Sequence, residues 1–230
     1  MSASERTASQ AKADNMAKMG AEIGAIYSEL WQEIAWINIK WAQYVELFGT
    51  NPERIDLLNQ AAPSMFRTVQ DTLWEDVLLH LARLADPPKS AGRANLSVRQ
   101  LANLLANSPV GTKVASLASA ALAACEFARD WRNRRLAHRD LELSLGQSVQ
   151  PIAAASRAAV KAALLALEET LNSVSSHYFG STTLFELGLG SEDAVSLLYL
   201  LRDGLQSRED RLDRVRRGEY APDDLKRESL

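Results

Sequence analysis

Cysteine is almost missing from this chain: Cys125 stands alone among 230 residues. A single thiol cannot close an internal disulfide, so a reducing cytoplasm is the expected compartment. Three scattered histidines, His80, His138 and His177, make no metal-ligand pattern with that one cysteine. Neither a phosphate-cradling glycine loop nor a Gly-x-Ser-x-Gly elbow occurs, so no metal and no cofactor are expected. Long apolar runs are missing as well. None approaches the roughly 18 residues of a membrane span, and Met1 to Gly20 is polar and alanine-rich, without a signal-peptide core. A soluble, intracellular protein with no membrane partner is the expectation. Strong charge bias is absent too: the formal net charge is −3, which offers no global attraction to nucleic acid or anionic lipid. Any affinity for phosphate has to come from local clustering.

What is present favours helix. Hydrophobic residues make up 47% and charged residues 24%, an ordinary globular balance. Alanine and leucine are abundant while glycine (11) and proline (7) are few, and Ala and Leu lose little side-chain freedom in a helix. The first helical signal runs from near Ser9 to about Phe48. Ile23, Ile26, Tyr27, Leu30, Ile34, Ile37, Trp41, Tyr44 and Phe48 recur at three- and four-residue steps, and Gly49 with Asn51-Pro52 ends the run. Unbroken, such a helix would extend about 60 Å at 1.5 Å per residue, so it must lie along a bundle or project into a partner.

Asn51 followed by Pro52 reads as an N-cap opening a short helix through about Asn59. A second helix opens at Pro63, carries Phe66, Val69, Leu73, Val77, Leu78, Leu81 and Leu84 as its apolar stripe, and stops before Pro87-Pro88. Pro87 to Asn95 reads as a polar, flexible loop, and Ser97 as the cap of a short helix through about Leu105. A long Ala/Leu-rich helix is predicted from Thr112 to about Leu136, and another from Ser156 to about Tyr178 after a turn over Ser144 to Pro151. Ser181 to Phe185 reads as a short extended piece. A last helix starts near Ser191 with Ala194, Leu197, Leu198 and Leu201, and becomes mostly charged over Arg208 to Arg217. No repeat and no alternating strand pattern is visible. The chain reads as all-α: an antiparallel four-helix bundle with additional short helices over residues 1–205, and a charged helical or disordered tail over 206–230.

The end of the helix from Thr112 carries the most unusual chemistry. Between Arg129 and Asp140 stand Arg129, Arg132, Arg134, Arg135 and Arg139 against only Asp130 and Asp140. In an acidic chain that is a focused positive field. Helix C-termini also attract arginine for stability alone, through the macrodipole. The order of residues adds a second signal. Arg132-Asn133, four more residues and then His138 resemble the signature of HEPN domains, in which an Arg and an adjacent polar residue precede a His by a few positions. The wider chain resembles the abortive-infection, AbiU-type branch of that superfamily. The stretches that carry the likeness are Trp41 to Gly49, Asp71 to Asp86 with its Arg83-Leu84-Ala85-Asp86, Asn95-Leu96-Ser97, and Asn133 to Leu141.

The resemblance implies a HEPN-type bundle, a symmetric dimer with two motifs facing a shared cleft and, in many members, metal-independent RNA cleavage. It implies catalytic roles for Arg132, Asn133 and His138. The residue chemistry is compatible: His supplies an acid or base near neutral pH, Arg a bidentate partner for phosphorane charge, and Asn a group to orient phosphate or 2′-hydroxyl. On an ideal α-helix Arg132 and His138 lie about 240° apart. Either the helix ends near Leu136 and His138 turns back, or the two act from opposite subunits. Arg129, Arg134, Arg135 and Arg139 are candidate phosphate contacts. Asp140 stands where related toxins often carry a Tyr, so regulation by nucleotidyl transfer is unsupported; it reads instead as a partner for Arg139 or as a group that orients His138.

Asp76, His80 and Arg83 fall on one face of the helix from Pro63. They read as a buried Asp–Arg pair with a hydrogen-bonded His, or as groups lining the cleft behind the motif. His177 reads as a helix-end residue. The five tryptophans read as core or dimer seam, with Trp131 also able to stack a base. Two functions stay open: a ribonuclease of phage-defence or toxin–antitoxin type acting on RNA, with a partner antitoxin or defence protein, or a non-catalytic HEPN scaffold for RNA or protein.

Overall fold

Polar side chains placed just ahead of apolar runs start the helices. The computed structural model describes residues 7–90, 92–137, 145–146, 151–185 and 191–225. Thr7 caps α1 (Ala8–Met19) through a capping box with Gln10. Asn51 caps α3 (Pro52–Ala61), and Ser97 caps α5 (Val98–Leu104). Ser156 caps α8 (Arg157–Phe179), accepting from the Ala159 N–H at 3.1 Å. The remaining helices are α2 (Ala21–Phe48), α4 (Pro63–Leu84), α6 (Gly111–Ala124), α7 (Glu126–Trp131) and α9 (Ser191–Arg217). The described chain is thus all-α apart from one small hairpin, and it forms a HEPN-type bundle.

The single helix predicted from Ser9 to Phe48 is not formed. It breaks at Gly20, whose φ of 92° and ψ of 153° are not helical. Helix α1 folds back on α2, where Lys12 pairs with Glu29 at 2.6 Å and Asn15 Nδ2 donates to Ser28 Oγ at 2.9 Å. The approach is as close as glycine allows: a Cβ on Gly24 would stand 2.4 Å from the Asn15 carbonyl oxygen. The apolar stripe begins only at Ile23, so periodicity carried no information about a break three residues earlier.

The chain divides into two compact units, Met1–Lys40 with Trp74–Leu187, and Trp41–Leu73 with Gly188–Leu230. In the first, Leu30, Ile34 and Ile37 of α2, Val77, Leu78 and Leu81 of α4, and Leu167 and Leu171 of α8 are fully buried. Each such side chain contributes about 1.5–3 kcal/mol by leaving water. Ala118 and Ala121 of α6 and Ala163 of α8 are buried where these two helices pack closely. In the second unit Leu47, Leu58, Ala194 and Leu198 form a core flanked by Phe48, Leu57, Phe66 and Leu201. Trp41 stacks on Tyr44 in the same unit, with ring centroids 5.3 Å apart. Helix α9 continues through its charged half to Arg217, and a 3-10 turn (Pro222–Leu225) follows, with Arg214 Nη2 bonded to Asp224 at 2.6 Å.

The loop expected after Pro87 contains an antiparallel pair, β1 (Lys89–Ser90) with β2 (Arg93–Ala94). Asn95 Nδ2 closes it by donating to the Pro87 carbonyl at 2.8 Å and to Ser90 Oγ at 2.9 Å. Two-residue strands are too short to show alternation. The segment from Ser181 is irregular and finds an asparagine side chain instead of a strand. Asn172 accepts from the Thr183 N–H at 2.8 Å and donates to the Thr183 carbonyl at 2.9 Å. Trp31 Nε1 donates to Thr183 Oγ1. Among the described residues no helix is long and apolar enough to cross a membrane.

Candidate functional site

The helix predicted from Thr112 to Leu136 changes character twice before it ends. It breaks at Cys125, which separates α6 from α7. From Arg132 the backbone opens into a π-helical turn (Arg132–Leu136), closed by an i→i+5 hydrogen bond from the Ala137 N–H to the Arg132 carbonyl at 2.8 Å. Such turns insert one residue into a helix and re-aim the side chains beyond it. The ideal-helix angle between Arg132 and His138 therefore does not apply. His138, Arg139 and Asp140 lie outside the described residues.

A short strap, residues 151–156, is tied to this helix end. Trp131 Nε1 donates to the Ala153 carbonyl at 2.8 Å, and Asp130 accepts from the Ala153 N–H at 2.7 Å. Arg134 Nη1 donates to the Pro151 carbonyl at 3.1 Å and lies 3.8 Å from Asp130. Arg129 folds back on Glu126 at 3.0 Å. The Arg135 guanidinium covers the Trp131 ring at 5.0 Å, so that ring is not open to a base on this face. The positive excess counted along the sequence is thus drawn down in space, partly by carboxylates from outside the counted window.

Arg132 is held most firmly. Its Nη1 sits 2.6 and 2.7 Å from the two oxygens of Asp86, just past the end of α4, and its Nε donates to Asn133 Oδ1 at 3.0 Å. The Arg132 and Asp86 side chains are 20% and 19% exposed, while Asn133 and Arg135 are exposed. Asp86 is the residue that the sequence reading underweighted. Its signals were its place at the end of the family-like stretch Asp71 to Asp86 and its position as an acid immediately ahead of Pro87-Pro88.

A family model described as AbiU2, of the HEPN class, matches residues 20–197, well over half of the chain. The chain belongs to the HEPN AbiU2 family. No curated protein and no solved structure matches it. The family match takes in α2 through the first turns of α9, so Asp86, Arg132 and Asn133 lie within it, whereas α1 and the charged half of α9 do not.

In this HEPN protein the three residues read from the α4 face do not form the expected Asp–Arg pair. Helix α2 supplies the partners instead. Lys40 Nζ bonds Asp76 at 2.6 Å, and Glu33 Oε1 receives both His80 Nδ1 at 2.5 Å and Arg83 Nη2 at 2.9 Å. Within one helix Asp76 and Arg83 are seven residues apart, too far to pair when a neighbouring helix offers nearer counter-charges. The hydrogen bond from His80 holds the Glu33 carboxyl down at about 2, against the opposing effect of its own burial. His80 Nδ1 thus faces the Glu33 carboxylate, while its Nε2 lies 3.1 Å from Lys40 Nζ and 3.4 Å from Asp76.

Cys125 is buried, and burial pushes its thiol up to about 12, so it offers no nucleophile. Among the described residues no group of three or more His, Cys, Asp or Glu is placed to hold a metal ion.

Proposed function

We propose that this HEPN AbiU2-family protein is an endoribonuclease of phage-defence or toxin–antitoxin type that cleaves RNA without a metal ion. The observation that carries the reading is Arg132: inside the family-matched stretch, it is pre-aimed by Asp86 and Asn133 rather than left as a loose surface charge. The chemistry is transesterification. The 2′-oxygen attacks phosphorus as its proton passes to a base, the P–O5′ bond breaks, and the 5′-oxygen takes up a proton. His138 serves proton transfer, Arg132 the phosphorane charge, and Asn133 the orientation of the phosphate.

Arg129, Arg134, Arg135 and Arg139 contribute phosphate attraction, with exposed Arg135 the foremost of the described ones. Asp76, His80, Arg83 and Asp140 support the site from behind it. The working form is a homodimer with two motifs across one cleft, held in check by an antitoxin or another defence-system protein, in the cytoplasm. Residues 1–205 act as one domain and 206–230 as its tail. The pairing of most described arginines in the motif favours one other reading, a non-catalytic scaffold, because RNA affinity draws on unpaired cations.

End-labelled RNA with wild type and His138→Ala decides between them. The expected result is cleavage that survives EDTA, leaves a 2′,3′-cyclic phosphate and a 5′-hydroxyl, and falls about 10²- to 10⁴-fold in the variant. Equal activity in both proteins would promote the scaffold.

A further inference from the structure

We infer that Asp86 is a positioning residue that acts through Arg132, holding the guanidinium by Nη1 so that Nη2 faces an RNA phosphate. The inference rests on the ribonuclease reading above. Three observations carry it. First, Asp86 is itself fixed. Its N–H donates to the Arg83 carbonyl at 3.1 Å, and Pro87 follows at once, restricting the backbone on either side of the carboxylate. Second, two of the three guanidinium nitrogens of Arg132 are committed, Nη1 to both Asp86 oxygens and Nε to Asn133 Oδ1. The group is planar, so fixing two nitrogens fixes the direction of the third. Among the described residues Nη2 has no acceptor. Third, the pair is about four-fifths buried, with side chains 20% and 19% exposed, which shields it from the screening that loosens surface ion pairs.

The carboxylate has two opposed effects on RNA. It keeps a donor aimed where charge grows in the transition state, which raises turnover. It also places a negative charge beside the phosphate, which weakens ground-state binding. Removing that charge alone should therefore move kcat and binding in opposite directions. A carboxylate that merely stabilised the fold would lower the amount of active protein and leave kcat and KM per folded molecule unchanged.

The test is single-turnover cleavage and fluorescence-anisotropy binding of one single-stranded RNA by the full chain. Proteins are wild type, Asp86→Asn, Arg132→Ala and the double variant, each first checked for fold by circular dichroism. Asp86→Asn should lower the cleavage rate about 10- to 100-fold while binding is unchanged or tighter and its salt slope steeper by about one. In the Arg132→Ala background the same change should cost nothing further, since the residue through which it acts is gone. Asp86→Glu keeps the charge but displaces the guanidinium by a methylene. It should lie between wild type and Asp86→Asn in rate, and it serves as the readout if Asp86→Asn does not fold.

Wild-type rates in Asp86→Asn or Asp86→Glu, or a full additive loss in the double variant, would overturn the role of Asp86 and leave the ribonuclease reading standing. A wild type that cleaves no faster than His138→Ala would overturn both.

Discussion

The Glu33–His80 cluster and the Asp86–Arg132 pair both draw on α4 and its end, with His80 and Asp86 only six residues apart in the chain. Each is built from the same kinds of side chain, but their hydrogen-bonding capacity is used differently. In the first, two carboxylates, two cations and an imidazole close on one another: Glu33 on His80 and Arg83, Asp76 on Lys40. In the second, one carboxylate and Asn133 engage a guanidinium whose Nη2 meets no described acceptor, next to exposed Arg135. A count of charges does not separate a cluster that joins two helices from one that awaits a ligand. Unspent donors do, because Nη2 of Arg132, with no described acceptor, keeps its hydrogens for a group that arrives from outside.

The comparison breaks most readily at its two central residues. Arg132→Ala should reduce cleavage per folded molecule about 10²- to 10³-fold, as loss of one pre-aimed donor typically does. It should also lower thermal stability, since the mostly buried Asp86 carboxylate loses its partner. His80→Ala should act chiefly on stability. It leaves Glu33 and Asp76 short of a partner in a site where His80 is 7% exposed, so urea unfolding should show a loss of about 1–3 kcal/mol. Its cleavage rate per folded molecule should fall only a few-fold, far less than that of Arg132→Ala. If His80→Ala abolishes cleavage while the fold persists, the two clusters are one site.

Acid sharpens the same contrast. The Glu33 carboxyl is held at about 2, below its ordinary 4.5, so its contribution to folding is complete above pH 4.5 and is lost as pH falls toward 2. Because that side chain is 25% exposed and partly screened, the contribution amounts to about 1–2 kcal/mol. Urea midpoints of wild type and Glu33→Gln should differ at pH 5 to 7 and converge toward pH 2. A constant gap would mean that the carboxylate does not titrate through its partners. The smallest effect is expected at Arg135. Its removal should weaken RNA binding a few-fold and reduce the salt slope by about one, with turnover nearly intact.

Much of this architecture could be read from residue order. Caps at Asn51 and Ser97 stand where they were expected, because an N-cap is a local contract between a side chain and the next turn's amides. The apolar faces of α2 and α4 followed from period alone. The break at Gly20 did not, since it exists only because α1 has a surface on α2 to return to. The π-turn at Arg132 was equally hidden, as no composition distinguishes it from an α-helix losing its grip. The family resemblance carried by Arg132, Asn133 and the wider stretches was legible, and the family match agrees with it. The partner of Arg132 was not, because Asp86 lies 46 residues away.

The amino-acid sequence by itself determined that the chain is helical, where most of its helices begin, and which family it belongs to. These rest on interactions within a few residues or on patterns that repeat every turn. Only the tertiary structure decided which distant charges meet. The described arginines that crowd one helix end, Arg129, Arg132, Arg134 and Arg135, are allotted in space to Asp86, Glu126, Asp130, a strap carbonyl and an indole ring. Glu126 and Asp130 stand one helical turn from Arg129 and Arg134, which spacing encodes. The meeting of Arg132 with Asp86, 46 residues away, depends on distance through space, and chain order does not encode it.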